Sequence, residues 1–293
     1  MYPAESQRFQ GFAGFRRVHR ALGPALCICF FDGESRTLFP FFLCFFKKAL
    51  RWNAPASLAL VFLPGGWYTE SVAIQIYYFD KEIAVCRKPV GVDSEAAGMP
   101  ALLARQLRTT EVYCVHRLDR AVGGLMVYAL RRESAAFLSR EIQAGRFRKE
   151  YLAVVHGRLD AEHGELRDLL FHDRAKNKSF VVRRKRAGVK EAVLDYRVLS
   201  EAEGFSLLAV RLQTGRTHQI RVQFASRAHP LAGDVKYGSP LRGADIALFS
   251  HALGFRHPVS GEALAFTAPP PGGSPWEYFE NIDDGGFLCD TSK

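Results

Sequence analysis

Two stretches and one isolated side chain in this sequence have residue types and spacing suited to chemistry. The first stretch is His116-Arg117-Leu118-Asp119-Arg120, in which one carboxylate stands between two guanidiniums. Val122-Gly123-Gly124 and an apolar run ending at Ala129 follow it. A charged loop leading into a rigid strand is how a scaffold presents one reactive group at the rim of a cleft. A carboxylate held there can serve as nucleophile or general base. On local evidence alone the same residues also fit a surface cluster of ion pairs, which are common and individually weak. Tyr151 lies in the apolar pattern of residues 147–157, where a phenol is either core or a flat platform for another ring. The second stretch, Thr214-Gly215-Arg216-Thr217-His218-Gln219-Ile220-Arg221, opens a helix and carries three basic side chains.

The elements that must position these groups follow from periodicity. Residues 74–79 and 83–86 read as two β segments joined at Asp80-Lys81-Glu82, and residues 112–115 as a strand that feeds the Asp119 loop. Residues 100–107 form a short helix with Pro100 at its start, where a missing N–H costs little. Residues 133–144 form an amphipathic helix through Ala135, Leu138 and Ile142, with Gly145 as its stop. Strands are expected at 147–157, 192–199 and 205–212. Thr217 is placed to cap a helix in which Ile220 and Phe224 share one face, ending at His229-Pro230. Between residues 171 and 190, Arg174, Lys176, Lys178, Arg183, Arg184, Lys185, Arg186 and Lys190 alternate with Phe180, Val181 and Val182. This pattern predicts a hairpin with one packed and one positive face, a candidate for phosphate contacts.

Composition narrows the setting. The chain has 293 residues, 48% hydrophobic and 24% charged, which excludes wholesale disorder and allows one large core or two small ones. Its 40 Lys+Arg against 30 Asp+Glu leave a net charge of +10, suited to a polyanion such as DNA, RNA or an anionic membrane. The cysteines, Cys27, Cys29, Cys44, Cys86, Cys114 and Cys289, show no C-x-x-C pairing and no partnering His cluster. Reduced thiols, no metal and a cytoplasmic setting are therefore expected.

Residues 1–71 read differently from the rest. Two apolar segments, 25–31 and 38–46, are too short to span a bilayer, and they lie too late and too broken by charge and proline for a signal peptide. We expect a poorly ordered N-terminal extension, or a start-site artefact with the natural chain beginning near Val72. A domain over 72–280 and a tail over 281–293 are expected to follow.

Taken together, the motifs resemble those of the RluA-type pseudouridine synthases, RNA uridine isomerases, over about residues 74–270. The stretch around Asp119 resembles the family's central motif, and Lys88-Pro89-Val90-Gly91 resembles its first. Lys149-Glu150-Tyr151-Leu152-Ala153-Val154-Val155-His156-Gly157 resembles the second. Gly215-Arg216-Thr217-His218-Gln219-Ile220-Arg221 is similar to Gly-Arg-x-His-Gln-Ile-Arg. Residues 229–238 and 248–269 resemble closing segments in which strands complete the sheet. The resemblance implies an α+β fold, with a mixed, mostly antiparallel central sheet, peripheral helices and a cleft across its middle. It implies Asp119, Tyr151 and Arg221 as the catalytic set, with Arg221 pairing with the aspartate and Tyr151 carrying the base. His116, Arg117, Arg120, Arg216, His218, Lys178, Arg183 and Arg184 would contact RNA or shape its loops. Arg117 is suited to fill the space of a flipped nucleotide.

The reaction needs a carboxylate and a dry pocket, so no cofactor is expected; the partner is rRNA or tRNA, and a monomer is expected. One departure stands out. Where the family generally has Thr-Ser-Gly, this chain has Val122-Gly123-Gly124, which removes two hydroxyls that could fix the loop. That change favours a competing reading, an RNA-binding or RNA-folding protein on the same scaffold without turnover; the intact catalytic trio argues against it. A third reading is a membrane-associated protein that uses the apolar N-terminus.

Overall fold

The computed structural model describes residues 58–63, 66–71, 73–95 and 97–279. The expectations for residues 1–57 and for the C-terminal tail lie outside the described residues. β1 (Leu58–Leu63) and β2 (Gly66–Ser71) form a two-stranded antiparallel pair of their own, with Leu63 opposite Gly66.

The remaining strands make one 11-stranded sheet. They are β3 (Ile76–Phe79), β4 (Ile83–Lys88), β5 (Tyr113–Cys114), β6 (Gly123–Ala129), β7 (Arg148–His156) and β8 (His163–Asp173). These are followed by β9 (Lys178–Val182), β10 (Val189–Ala202), β11 (Phe205–Leu212), β12 (Leu248–Arg256) and β13 (Ala263–Thr267). Their order is β3-β4-β6-β12-β7-β11-β10-β8-β9, with β13 on β12 and β5 on β6. Every pairing is antiparallel except that of β6 with β12, where Phe249 faces Gly123 and Ser250 faces Gly124. This is the expected mixed, mostly antiparallel sheet. The basic stretch forms the expected hairpin, β8–β9, with Phe171 opposite Phe180.

Alternation along β7 sends its side chains to two cores. Tyr151, Ala153 and Val155 pack with Leu103, Ile220 and Phe224 on one face, and Leu152 and Val154 with Leu138, Phe249 and Trp276 on the other. Each such fully buried Leu or Phe contributes about 1.5–3 kcal/mol. The helices α1 (Met99–Leu107), α2 (Arg132–Gln143) and α3 (Gln219–Ala225) flank the sheet. In α3 every residue from Gln219 to Phe224 is buried, and the side-chain amide nitrogens of its two glutamines find acceptors inside, while Gln223 Oε1 is left without a partner among the described residues. The amide of Gln219 donates to the Val193 carbonyl (3.1 Å) and that of Gln223 to the Asp168 carboxylate (2.8 Å).

Gly124 is the tightest point of the sheet. A Cβ there would lie 2.4 Å from the Ser250 carbonyl oxygen, and its φ of +123° is one that L side chains rarely adopt. The close parallel contact of β6 and β12 therefore requires glycine, and it joins the two halves of the sheet beside the Asp119 loop.

Candidate active site

Asp119 sits in the loop ahead of β6, Tyr151 on β7 and Arg221 on α3; all three line one open cleft of about 2170 Å³. That is well beyond the roughly 300–1,000 Å³ of a small-molecule pocket, so the cleft suits a polymer better than a free nucleoside. Arg221 Nη1 donates to Asp119 Oδ2 at 3.0 Å. The rest of that guanidinium is held by Asp234, with Nε to Oδ2 at 2.6 Å and Nη2 to Oδ1 at 2.8 Å. Burial works against the charge on Arg221, but the two carboxylates more than offset it, and the group titrates above its ordinary value. The bidentate clamp fixes the plane of the guanidinium and leaves one N–H aimed at Asp119.

Tyr151 is 5% exposed. Burial and then the charge of Asp119 raise its phenol well above the ordinary value, so it stays protonated. His218 stands on the other side, with Nε2 3.6 Å from Asp119 Oδ2. Burial outweighs the pull of Asp119 and lowers the imidazole to about 4, so His218 is neutral near pH 7.

The chain reaches this arrangement through an uncommon backbone choice. Thr217 was expected to cap α3, but His218 precedes the helix in a left-handed conformation, φ 55°, ψ 26°, with no side-chain cap. Strain of this kind gathers at functional sites, and here the turn brings His218 up to Asp119. The Gln219 side chain anchors the turn instead, its Oε1 accepting from Thr214 Oγ1 (2.8 Å) and from the Arg216 N–H (3.0 Å).

The Asp119 loop is held by groups other than the two hydroxyls it lacks. Val122 is 2% exposed and joins the core. A Cβ at Gly123 would already meet the Lys88 carbonyl and Val90 at 3.3 Å. From the Lys-Pro-x-Gly stretch, Lys88 is 1% exposed and its ammonium donates to the carbonyls of Pro89 (2.9 Å), Val92 (2.7 Å) and Arg120 (3.3 Å). Ser94 donates through Oγ to the Leu118 carbonyl (2.8 Å) and accepts the Leu118 N–H (3.0 Å).

The other predicted site residues divide into three groups. His116 is buried and its Nε2 accepts the Val127 N–H at 3.3 Å, so it shapes the loop from within. Arg117 is exposed beside Glu95 (3.2 Å), Arg120 donates to the Gly91 carbonyl (2.8 Å) and Arg216 to the Glu191 carbonyl (2.9 Å); all three line the cleft. Lys178 sits over the Tyr237 ring, 5.1 Å from its centroid. Arg183 and Arg184 are exposed beyond β9 and do not line the cleft. The sequence reading missed Asp234 and Tyr237. Their segment, expected to complete the sheet, forms a loop with a short 3-10 turn at Val235–Tyr237. The available signal was a buried-pair requirement: a buried arginine that holds one carboxylate needs another for its remaining N–H groups.

The family model described as RNA pseudouridylate synthase matches residues 82–226, which contain Asp119, Tyr151 and Arg221. An uncharacterized RNA pseudouridine synthase of Aquifex aeolicus (strain VF5) is 33% identical over 229 residues, covering 69% of this chain and 71% of that protein. The chain belongs to the RNA pseudouridylate synthase family. The ribosomal large subunit pseudouridine synthase D of Vibrio parahaemolyticus serotype O3:K6 is 35% identical over 231 residues, covering 70% of each chain. The solved structure of human RNA pseudouridylate synthase domain containing 1 shares the fold, with a TM-score of 0.59 at 23% identity, covering 72% of this chain and 87% of that one. This RNA pseudouridylate synthase is thus an isomerase acting on RNA, and the reading of a scaffold without turnover is not favoured. Among the described residues no helix is long and apolar enough to cross a membrane.

Acid should unfold this synthase through its buried histidines. Above about pH 6.5 His218 is neutral whether the chain is folded or not. Below that, the unfolded chain takes up a proton that the folded site refuses until about pH 4. Stability present at neutral pH is therefore lost as pH falls through this window, by about 3 kcal/mol from His218. His116, which burial lowers well below its ordinary value, adds to the same loss. Urea midpoints measured from pH 7 to pH 4 should fall steeply, and His218→Asn should flatten that slope.

Proposed function

We propose that Asp119 is the catalytic carboxylate and that it acts on the sugar of a uridine flipped into the cleft. The observation that carries this reading is the 3.0 Å contact between Arg221 and Asp119, 102 residues apart in sequence, at the centre of the cleft. Converting uridine to its C5-glycoside breaks the N1–C1′ bond, turns the detached uracil and forms a C5–C1′ bond, with a proton lost from C5 and one gained at N1, so that the product is an isomer of the substrate. Asp119 serves as nucleophile at C1′ or as base for a sugar proton. Arg221 keeps the carboxylate charged and oriented. Tyr151 packs against the uracil while it is detached and keeps water out. Because the target is inaccessible within a stacked helix, the nucleotide must leave it, and Arg117 braces the vacated space.

The RNA is ribosomal or transfer RNA; the name of the Vibrio relative supports the large-subunit ribosomal RNA first. Residues 72–280 carry the activity. The working unit is a monomer in the cytoplasm, where thiols such as those of Cys86 and Cys114 stay reduced. Unmodified transcripts of both RNA classes, incubated with the purified protein and mapped for pseudouridine, provide the test. Pseudouridine at one or a few ribosomal uridines is expected. Modification of transfer RNA alone would move the substrate, and no modification of either would overturn the reading.

The β8–β9 hairpin and the exposed cations beyond it contact phosphates outside the cleft. The double variant Arg183→Ala/Arg184→Ala should weaken RNA binding by about tenfold. If each arginine neutralises one phosphate, it should also flatten the log–log salt dependence by about 1.4, at about 0.7 per contact on single strands. Filter binding from 50 to 300 mM salt measures both.

A further inference from the structure

Tyr237 lies outside the catalytic trio, yet four observations converge on its side chain. Its Oη accepts the backbone N–H of Ser179 on β9 at 2.8 Å and lies 2.9 Å from His218 Nδ1. Its ring has the Arg221 guanidinium carbon 5.1 Å and the Lys178 ammonium 5.1 Å from its centroid. The same hairpin reaches this place twice more. Ser179 Oγ donates to the Thr217 carbonyl at 2.6 Å, just before the left-handed turn at His218, and Lys236 donates to the Asn177 carbonyl at 2.9 Å.

We propose that Tyr237 is a positioning residue that fixes the tautomer of His218 against Asp119 and couples that choice to the basic β8–β9 hairpin. The reasoning is one of donors and acceptors. Ser179 gives its N–H to the phenol oxygen and its Oγ hydrogen to the Thr217 carbonyl, and the acceptor described for the phenol hydrogen is Nδ1. Nδ1 is then the acceptor, and the ring proton is carried on Nε2, the nitrogen 3.6 Å from Asp119 Oδ2. A neutral N–H dipole thus faces the carboxylate and steadies it without cancelling its charge, while Arg221 supplies the cation from the other side. The donor that orients the phenol belongs to the strand that carries Lys178 and Phe180. RNA seated on the hairpin therefore acts on the geometry of Asp119 through Ser179, Tyr237 and His218. The inference rests on the reading of Asp119 as the catalytic carboxylate.

The test uses the full chain and an RNA that it modifies. Tyr237→Phe keeps the ring over Arg221 and removes only the hydroxyl. Its single-turnover rate at saturating RNA should fall about tenfold, the scale of one oriented hydrogen bond, with RNA affinity within twofold of the wild type. Nitrogen-15 spectra of labelled histidine, with the His218 signals assigned by their loss in His218→Gln, should show Nε2 protonated in the wild type and a mixture of tautomers in Tyr237→Phe. A proton on Nδ1 in the wild type overturns the proposal without any variant at position 237. A Tyr237→Phe protein with wild-type rate, or one impaired only in RNA affinity, overturns it too. Asp119→Asn, run in parallel, separates the two readings. If it remains active the catalytic assignment itself fails; if it is inactive while Tyr237→Phe matches the wild type, only the role of Tyr237 fails.

Discussion

Asp119→Asn should abolish pseudouridine formation, lowering the single-turnover rate by at least about 10⁴-fold, the scale on which loss of a nucleophile is felt. The fold should be nearly unaffected. Asp119 is a partly exposed side chain on the cleft, and Arg221 keeps both of its bonds to Asp234 when the carboxylate becomes an amide. RNA affinity should stay within a few fold, since the phosphate contacts proposed above are on the β8–β9 hairpin and beyond it. The decisive comparison is therefore rate against affinity and thermal midpoint in one preparation. A variant that is stable, binds RNA and forms no pseudouridine places the chemistry on this carboxylate. One that keeps even a hundredth of the wild-type rate removes Asp119 from the central role.

Arg221→Met should have the largest effect on stability. Asp234 has a side chain only 1% exposed, and the carboxylate hydrogen bonds described for it come from Arg221. Removing the guanidinium leaves a buried charge uncompensated, which costs about 3–5 kcal/mol. Activity should fall by about 10³-fold as well, because Asp119 loses the cation that orients it. The double variant Arg221→Met/Asp234→Leu separates the two effects. With both charges gone most of the stability should return, measured as the urea midpoint, whereas the rate should not. Recovery of rate along with stability would mean that Arg221 serves only the fold. Arg221→Lys should rescue poorly, since a single ammonium cannot make the bidentate pair and the third bond together.

What could be read from the sequence, and what could not, follows the range of the interactions. Tyr151 was placed correctly on a strand because β7 alternates between two cores and its pattern is local. Pro100 marked the start of α1 for an equally local reason. His218 could not be read: nothing in a His-Gln pair announces a left-handed residue, and Thr217 offered an ordinary cap that the chain does not use. Lys88 stood out only as part of the Lys-Pro-x-Gly stretch, and its role depends on three carbonyls, one of them 32 residues away. Asp234 and Tyr237 lie in a loop without periodicity, so only the packed structure brings them to Arg221 and His218. The alternation of charge with Phe180 and its neighbours predicted a hairpin. Its link to Asp119 runs through a backbone N–H, which no side-chain pattern encodes.

The single parallel pairing has a consequence for how the molecule is made. β6 and β7 are neighbours in sequence, yet in the sheet they are separated by β12, which is synthesised about a hundred residues after either. Until Leu248–Arg256 has left the ribosome, the nascent chain holds two part-sheets, each with a hydrogen-bonding edge open at its centre, where intermolecular strand pairing begins most readily. Insertion of β12 closes both edges at once and brings Ser250 onto Gly124, next to the loop that carries Asp119. The site is therefore assembled late, after long-range closure, and partly made chains should be inactive and prone to self-association. Conditions that slow this last insertion, such as bulk at Gly124, should reduce the yield of active enzyme before they alter its catalytic rate.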